Sequence, residues 1–206
     1  PPTPLKDARM VCFNHDLAGE MGFHTQNPED WTGIGAGTEL LEGMDPVAMK
    51  YTGHQFGMYN PDLGDGRGLL LWETVGPDGR RWDWHLKGAG TTPYSRFGDG
   101  KAVLRSTIRE YLCSEAMAAL GIPTTRALFM VSAKDPVRRE SIETAAALVR
   151  VAQTHIRFGH FEFAAHHEGK QALKTLIEHV IALHFPHLID LPEDERYQGW
   201  YVEVVE

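Results

Sequence analysis

Leu63-Gly64-Asp65-Gly66-Arg67-Gly68 sets three glycines around an aspartate and an arginine. Glycines let backbone N–H groups approach phosphate oxygens closely, because no Cβ stands in the way. Lys87, in Leu86-Lys87-Gly88-Ala89-Gly90, offers a point charge for phosphate beside a second donor-rich turn. Glu110 follows in a helix-like run and suits the task of orienting that lysine by a charge-assisted hydrogen bond. In this order, a glycine-rich turn, a strand-borne lysine and a helical carboxylate are the parts of a nucleotide-phosphate site. Each part has a plainer reading: a tight turn or bulge for the glycines, a solvated strand end for Lys87, a surface glutamate for Glu110.

Glu115 competes with Glu110 as the partner of Lys87. On a helical wheel Glu115 falls in the main apolar stripe, whereas Glu110 lies beside Val103, Ser106, Ser114 and Met117. Small neighbours there permit another element to come close. Arg150 and Arg157 bracket Val151-Ala152-Gln153-Thr154-His155-Ile156. Their odd separation puts them on opposite faces of a straight strand, so spacing alone does not bring both to one anion. His155, His160, His166 and His167 lie close in sequence, but none makes HExxH or another firm zinc spacing. No GxSxG string supports a serine hydrolase.

Elements must position these side chains. Leu69 to Val75 reads as a strand, Gly76-Pro77-Asp78-Gly79 as a turn, and Arg80 to Lys87 as the return strand. Alternation sets Trp82, Trp84 and Leu86 on one face and Arg81, Asp83, His85 and Lys87 on the other. The polar face is therefore either wet or lines a site. Residues 101–120 read as a helix with Leu104, Ile108, Tyr111, Leu112 and Ala119 on its apolar side, stopped by Gly121-Ile122-Pro123. Ala127 to Ser132 and Ala145 to Ala152 read as strands joined by a polar connection over 135–141. From about Phe161 the pattern is helical, with a break near Pro186 and a fresh start at Leu191-Pro192-Glu193-Asp194-Glu195. Residues 1–60, rich in proline and glycine, read as an irregular extension with short helices around 38–50. The expected fold class is α+β: a mainly antiparallel sheet with one crossing helix, followed by helices. That order suits the small lobe of a protein kinase and the start of its large lobe.

Composition bounds the partners. With 20 basic and 28 acidic residues the net charge is −8, which argues against bulk nucleic-acid binding but leaves room for a local cationic pocket. The two cysteines, Cys12 and Cys113, form no CxxC pattern and read as reduced thiols. No apolar run is long enough for a membrane span and no signal-peptide pattern opens the chain, so a cytoplasmic setting is the default expectation.

Longer strings carry a resemblance. Gly53-His54-Gln55-Phe56-Gly57, Leu63-Gly64-Asp65-Gly66-Arg67, Leu86-Lys87-Gly88-Ala89-Gly90-Thr91-Thr92-Pro93-Tyr94-Ser95-Arg96 and Ser106-Thr107-Ile108-Arg109-Glu110-Tyr111 resemble the selenoprotein O family. So does Arg150-Val151-Ala152-Gln153-Thr154-His155-Ile156-Arg157-Phe158-Gly159-His160-Phe161-Glu162. The resemblance implies a kinase-like fold that binds ATP in a flipped orientation with Mg²⁺ and transfers AMP to Ser, Thr or Tyr hydroxyls of other proteins. A mitochondrial setting is implied if the source is eukaryotic. By motif, Gly64, Gly66 and Arg67 would contact nucleotide, Lys87 would bind phosphate with Glu110 as its ion-pair partner, and Asp99 and Gly100 would form a second nucleotide-contacting turn. Arg150 and Arg157 would be phosphate-clamping arginines.

The family's catalytic aspartate and magnesium ligands lie in strings resembling Asn-Thr-Asp-Asn and Asp-Tyr-Gly, and neither string occurs here. The resemblance therefore implies no catalytic base and no metal ligand within this chain. It marks residues 1–60 as an extension, 61–158 as the nucleotide-binding small lobe and 159–206 as the start of a large lobe. Alone, the chain is expected to be nearly inert. A conventional protein kinase, a non-catalytic ATP-binding pseudokinase scaffold and a histidine-centred metalloenzyme are the other readings.

Overall fold

The structure, a computed structural model, describes residues 1–205. In chain order the elements are β1 (Arg9–Phe13), α1 (His15–Glu20), a 3-10 turn (Pro28–Trp31), α2 (Thr32–Gly35), β2 (Gly53–Gln55), β3 (Met58–Asn60), β4 (Gly68–Val75) and β5 (Arg81–Lys87). There follow β6 (Ala102–Val103), α3 (Leu104–Ala119), β7 (Arg126–Arg138), β8 (Ile142–Ala152), α4 (Phe158–Phe163), a π-helical turn (Ala164–Glu168), α5 (Lys170–His184), a 3-10 turn (Pro186–Leu188) and α6 (Glu193–Val205). The chain divides into two compact units: Pro1–Lys50 with Asp62–Ile156, and Tyr51–Pro61 with Arg157–Glu206.

The first unit is built on an antiparallel sheet in the order β1-β7-β8-β5-β4, with β6 also paired to β8. The hairpin of β4 and β5 forms as its turn chemistry predicts. Gly76 N donates to Arg80 O at 2.8 Å, and Gly79 takes the left-handed conformation (φ +81°) that a side chain resists. β5 is flanked by β4 and β8 and is buried on both faces. Trp82, Trp84 and Leu86 join the apolar core, and Asp83 and His85 are buried on the other side. The middle of the polar face, Asp83 and His85, is therefore covered, whereas Arg81 and Lys87 at its ends stay partly exposed.

Aromatic packing ties the N-terminal residues to that core. Trp31 stacks on Trp84 at 5.7 Å, Phe13 on Phe129 at 5.8 Å, and Phe23 meets Trp84 edge-on at 5.1 Å. Burying rings such as Trp84 and Phe129 contributes about 2–3 kcal/mol each relative to exposure. The expected irregular extension thus supplies an edge strand, β1, and a capped helix, α1, whose Asn14 Oδ1 accepts from Leu17 N. No helix occupies 38–50; instead Val47 forms a bridge with Leu70 at the free edge of β4.

Two further expectations need correction. β7 and β8 run longer than their apolar cores, leaving only residues 139–141 as the connection. Asp135 and Pro136 sit inside β7 because the register shifts between Ala133 and Pro136, a bulge that accommodates a residue without an N–H. α3 buries Thr107 and Tyr111, whereas Leu112, expected on its apolar side, is 63% exposed. The helix stops as expected, with Gly121 at φ +77°.

In the second unit β2 and β3 form a two-residue hairpin. Phe56 and Gly57 both adopt positive φ (54° and 77°), as a primed turn demands. Thr52 N donates to Gly159 O at 3.0 Å, and a Cβ on Gly159 would lie 2.0 Å from Thr52 O, so only glycine permits this approach. α5 and α6 are joined by Lys174–Glu193 at 2.6 Å and by Glu178, which accepts from Tyr197 and Arg196. No helix among the described residues is long and apolar enough to cross a membrane. Cys12 and Cys113 are free thiols.

Candidate functional site

Antiparallel register brings the cationic residues together. Lys87, the last residue of β5, pairs with Gly68 of β4 and Leu148 of β8. Arg150 of β8 pairs with His85, so Lys87 and Arg150 emerge near one another. α3 packs across β7 and β8, and its Glu110 meets Lys87 of β5 and Arg150 of β8. Lys87 Nζ donates to Glu110 Oε2, and Arg150 Nη1 donates to Glu110 Oε1 at 3.1 Å. One carboxylate thus holds two cations, one on each oxygen. The side chains of Lys87, Glu110 and Arg150 remain 25%, 26% and 19% exposed, so an anion from solvent can reach them. Burial lowers the Lys87 pKa from its ordinary value; Glu110 opposes this, and the charges of Arg150 and Arg67 add to it. Two cations sharing one carboxylate leave a net positive charge, the condition for holding phosphate.

Beneath the cations lies a buried polar layer that sequence reading missed. Arg150 Nη2 donates to His85 Nδ1 at 3.4 Å. His85 Nε2 stands 3.3 Å from Asp65 Oδ2, near enough for electrostatic attraction though not aligned as a straight hydrogen bond. The His85 ring stacks on His155 at 4.9 Å, and His155 N donates to Asp83 Oδ2 at 2.7 Å. Burial pushes His85 down to about 4, with Asp65 opposing and Arg150 and His155 reinforcing the shift. The signal was present in the alternation of β5, whose polar residues had to be solvated or buried against partners.

The glycine-rich turn is packed as well as bare. A Cβ on Gly64 (φ +135°) would lie 2.6 Å from Tyr94 Cγ, and one on Gly66 would lie 2.8 Å from Tyr94 O. Thr92 Oγ1 donates to Asp65 O and Ser95 Oγ to Gly66 O, each at 2.6 Å. Arg67 is exposed, and its carbonyl accepts from Gly88 N at 2.7 Å and Ala89 N at 3.2 Å. These bonds hold the first glycine turn against the turn that follows Lys87. Gly100 joins the same group, since its carbonyl accepts from Gly90 N at 3.1 Å. Gly64, Gly66, Arg67, Lys87, Glu110, Arg150 and Gly100 therefore belong to one connected neighbourhood.

Asp99 and Arg157 are placed differently. The Asp99 carboxylate takes both Arg139 Nη1 and Nη2, at 2.8 and 3.0 Å, and accepts from Lys101 N at 3.0 Å. The Arg139 guanidinium holds it below the usual carboxylate range. Arg157 lies in the second unit, where it precedes α4. Its guanidinium stands 4.6 Å over the Tyr51 ring, and its backbone N donates to His160 Nδ1 at 3.0 Å. Glu115, the competitor of Glu110, instead binds Arg126, Ala127 N and Asn14.

Among the described residues no group of three or more His, Cys, Asp or Glu side chains is arranged to hold a metal ion. The acids nearest the cations are already engaged: Glu110 by Lys87 and Arg150, and Asp65 by Met49 N at 3.2 Å and His85. These residues do not fit Mg²⁺.

The family model described as Protein adenylyltransferase SelO matches residues 1–206. The Protein nucleotidyltransferase YdiU of Klebsiella pneumoniae (strain 342) is 53% identical over 206 residues, covering 99% of this chain and 42% of that protein. The protein of the same description from Erwinia tasmaniensis is 50% identical over 210 residues, covering 100% of this chain and 43% of its own length. That from Aeromonas salmonicida is 53% identical over 187 residues, covering 91% and 39% respectively. The chain spans about two-fifths of the length of these relatives. A match along all its residues, joined to relatives of one description at half identity, makes this chain a member of the protein adenylyltransferase SelO family.

Proposed function

We propose that this chain is the ATP-binding portion of a protein adenylyltransferase that transfers AMP to protein hydroxyls. Residues 61–158 serve as a kinase-like small lobe and residues from 159 begin a large lobe. The observation that carries this reading is the sharing of Glu110 by Lys87 and Arg150 beside the glycine-rich turn.

The chemistry requires such a cluster. A substrate hydroxyl oxygen attacks the α-phosphorus; the new P–O bond forms as the bond to the bridging oxygen breaks. Pyrophosphate leaves with most of the charge, and the hydroxyl proton passes to a base. Cations gathered on the β- and γ-phosphates stabilise that leaving group. Lys87 and Arg150 suit this task, and Arg67 adds positive charge at the turn. Gly64, Gly66 and Gly100 supply close backbone approach. Asp99 is expected to act through its backbone, its carboxylate being held by Arg139. Arg157 keeps the phosphate-contacting role implied by its motif. The catalytic base and the metal ligands are expected outside this chain.

The test uses the full-length protein with ATP labelled on either the α- or the γ-phosphate. Label entering protein from α-labelled ATP alone is the expected result. Transfer of the γ-label instead identifies a conventional kinase, and ATP binding without transfer of either label identifies a scaffold.

A further inference from the structure

We propose that His85 is a positioning residue that locks the glycine-rich turn to the paired cations, an inference resting on the reading of that cluster as a phosphate site. Guanidinium carries only donors, so the His85 Nδ1 facing Arg150 Nη2 at 3.4 Å must be the unprotonated nitrogen. The ring proton then sits on Nε2, which stands 3.3 Å from Asp65 Oδ2, an electrostatic contact without straight hydrogen-bond alignment. Asp65 is the central residue of the glycine turn, is 4% exposed and also accepts from Met49 N at 3.2 Å. A continuous path therefore runs Asp65–His85–Arg150–Glu110–Lys87, from the turn that would cradle phosphate to the cations that would neutralise it.

Gly68 reveals how tightly the ring is placed. A Cβ there would lie 2.3 Å from His85 Cε1 and 2.9 Å from Nε2. The third glycine of the string thus makes room for the imidazole, a demand separate from any phosphate. His155 closes the other side of the ring by stacking, and is itself held by Asp83. The charged and titratable groups facing His85 are Asp65 from the turn, Arg150 from β8 and His155 beyond it. At 1% exposure the imidazole is neutral near pH 7, so it serves Arg150 as an acceptor without adding a competing cation. Arg150 then has separate acceptors for its two terminal nitrogens, Glu110 Oε1 and His85 Nδ1, which fixes the plane of the guanidinium.

The experiment compares the full-length wild-type protein with His85→Leu and His85→Asn. Leucine fills the space without an acceptor, whereas the asparagine Oδ1 stands near the position of Nδ1. Inorganic tripolyphosphate is the probe, with NMR of the Gly64 and Gly66 amides and the Arg150 side-chain nitrogens. His85→Leu should shift those resonances and weaken tripolyphosphate binding about tenfold, and His85→Asn should restore most of both. His85→Leu with resonances and affinity like wild type, or His85→Asn no better than His85→Leu, overturns the proposal. Should the wild type bind neither tripolyphosphate nor ATP, the phosphate reading fails, while the resonances still decide whether His85 couples turn to arginine. If neither variant folds, the wild-type ¹⁵N shifts decide: protonated Nε2 with bare Nδ1 is expected, and the opposite tautomer contradicts the assignment.

Discussion

Glu110 and His85 divide the work of placing two cations. Glu110 draws Lys87 and Arg150 together, and His85 orients Arg150 from below. The burial that makes His85 a neutral acceptor also makes it sensitive to acid. Its pKa is about 4 in the folded chain and about 6.5 when unfolded, so the unfolded state binds the extra proton between those values. Stability is complete above pH 6.5 and is lost as pH falls toward 4, by roughly 3 kcal/mol from this group. Urea midpoints measured across pH 7 to 4 should fall in the wild type and fall less steeply in His85→Leu. Equal slopes would show that His85 is not buried neutral in the folded protein.

α3 must hold Glu110 at a fixed distance from β5 and β8, and Glu115 anchors the far end of that helix. Its carboxylate accepts from Arg126 Nη2 at 2.8 Å, from Ala127 N at 2.8 Å and from Asn14 Nδ2 at 2.8 Å. Asn14 also caps α1, so one side chain ties α3, the start of β7 and the N-terminal helix together. Glu115→Ala leaves the half-buried Arg126 and a backbone N–H without their acceptor. It should cost about 2–3 kcal/mol, read as a lower urea midpoint; a loss under about 0.5 kcal/mol would show that the anchor is dispensable. The β4–β5 hairpin and α3 were legible because turn residues and a helix stop frame clean periodicities. β1 was not, because a five-residue strand among prolines and glycines has too little pattern, and its place depends on pairing with distant β7. Asp135 and Pro136 read as part of the polar connection over 135–141 because a bulge that absorbs proline leaves no local mark. Within the site, Lys87 and Glu110 were found by type and order, and Arg150 only through the family resemblance. His85, Asp65, Asp83 and His155 were missed because their roles arise from burial across strands.

At the scale of the molecule, the first unit carries every candidate residue except Arg157, which stands in the second. The chain covers about two-fifths of its relatives' length, so activity belongs to tests on the full-length protein. In the proposed function Arg150 acts on the outer phosphates of ATP and not on its nucleoside. Dissociation constants for ATP and AMP, measured by calorimetry on full-length Arg150→Ala and wild type, test this most directly. ATP binding should weaken by about tenfold or more, roughly 1.4 kcal/mol, with AMP changed by less than about twofold. Equal weakening of both nucleotides, or no change in ATP, would contradict that role.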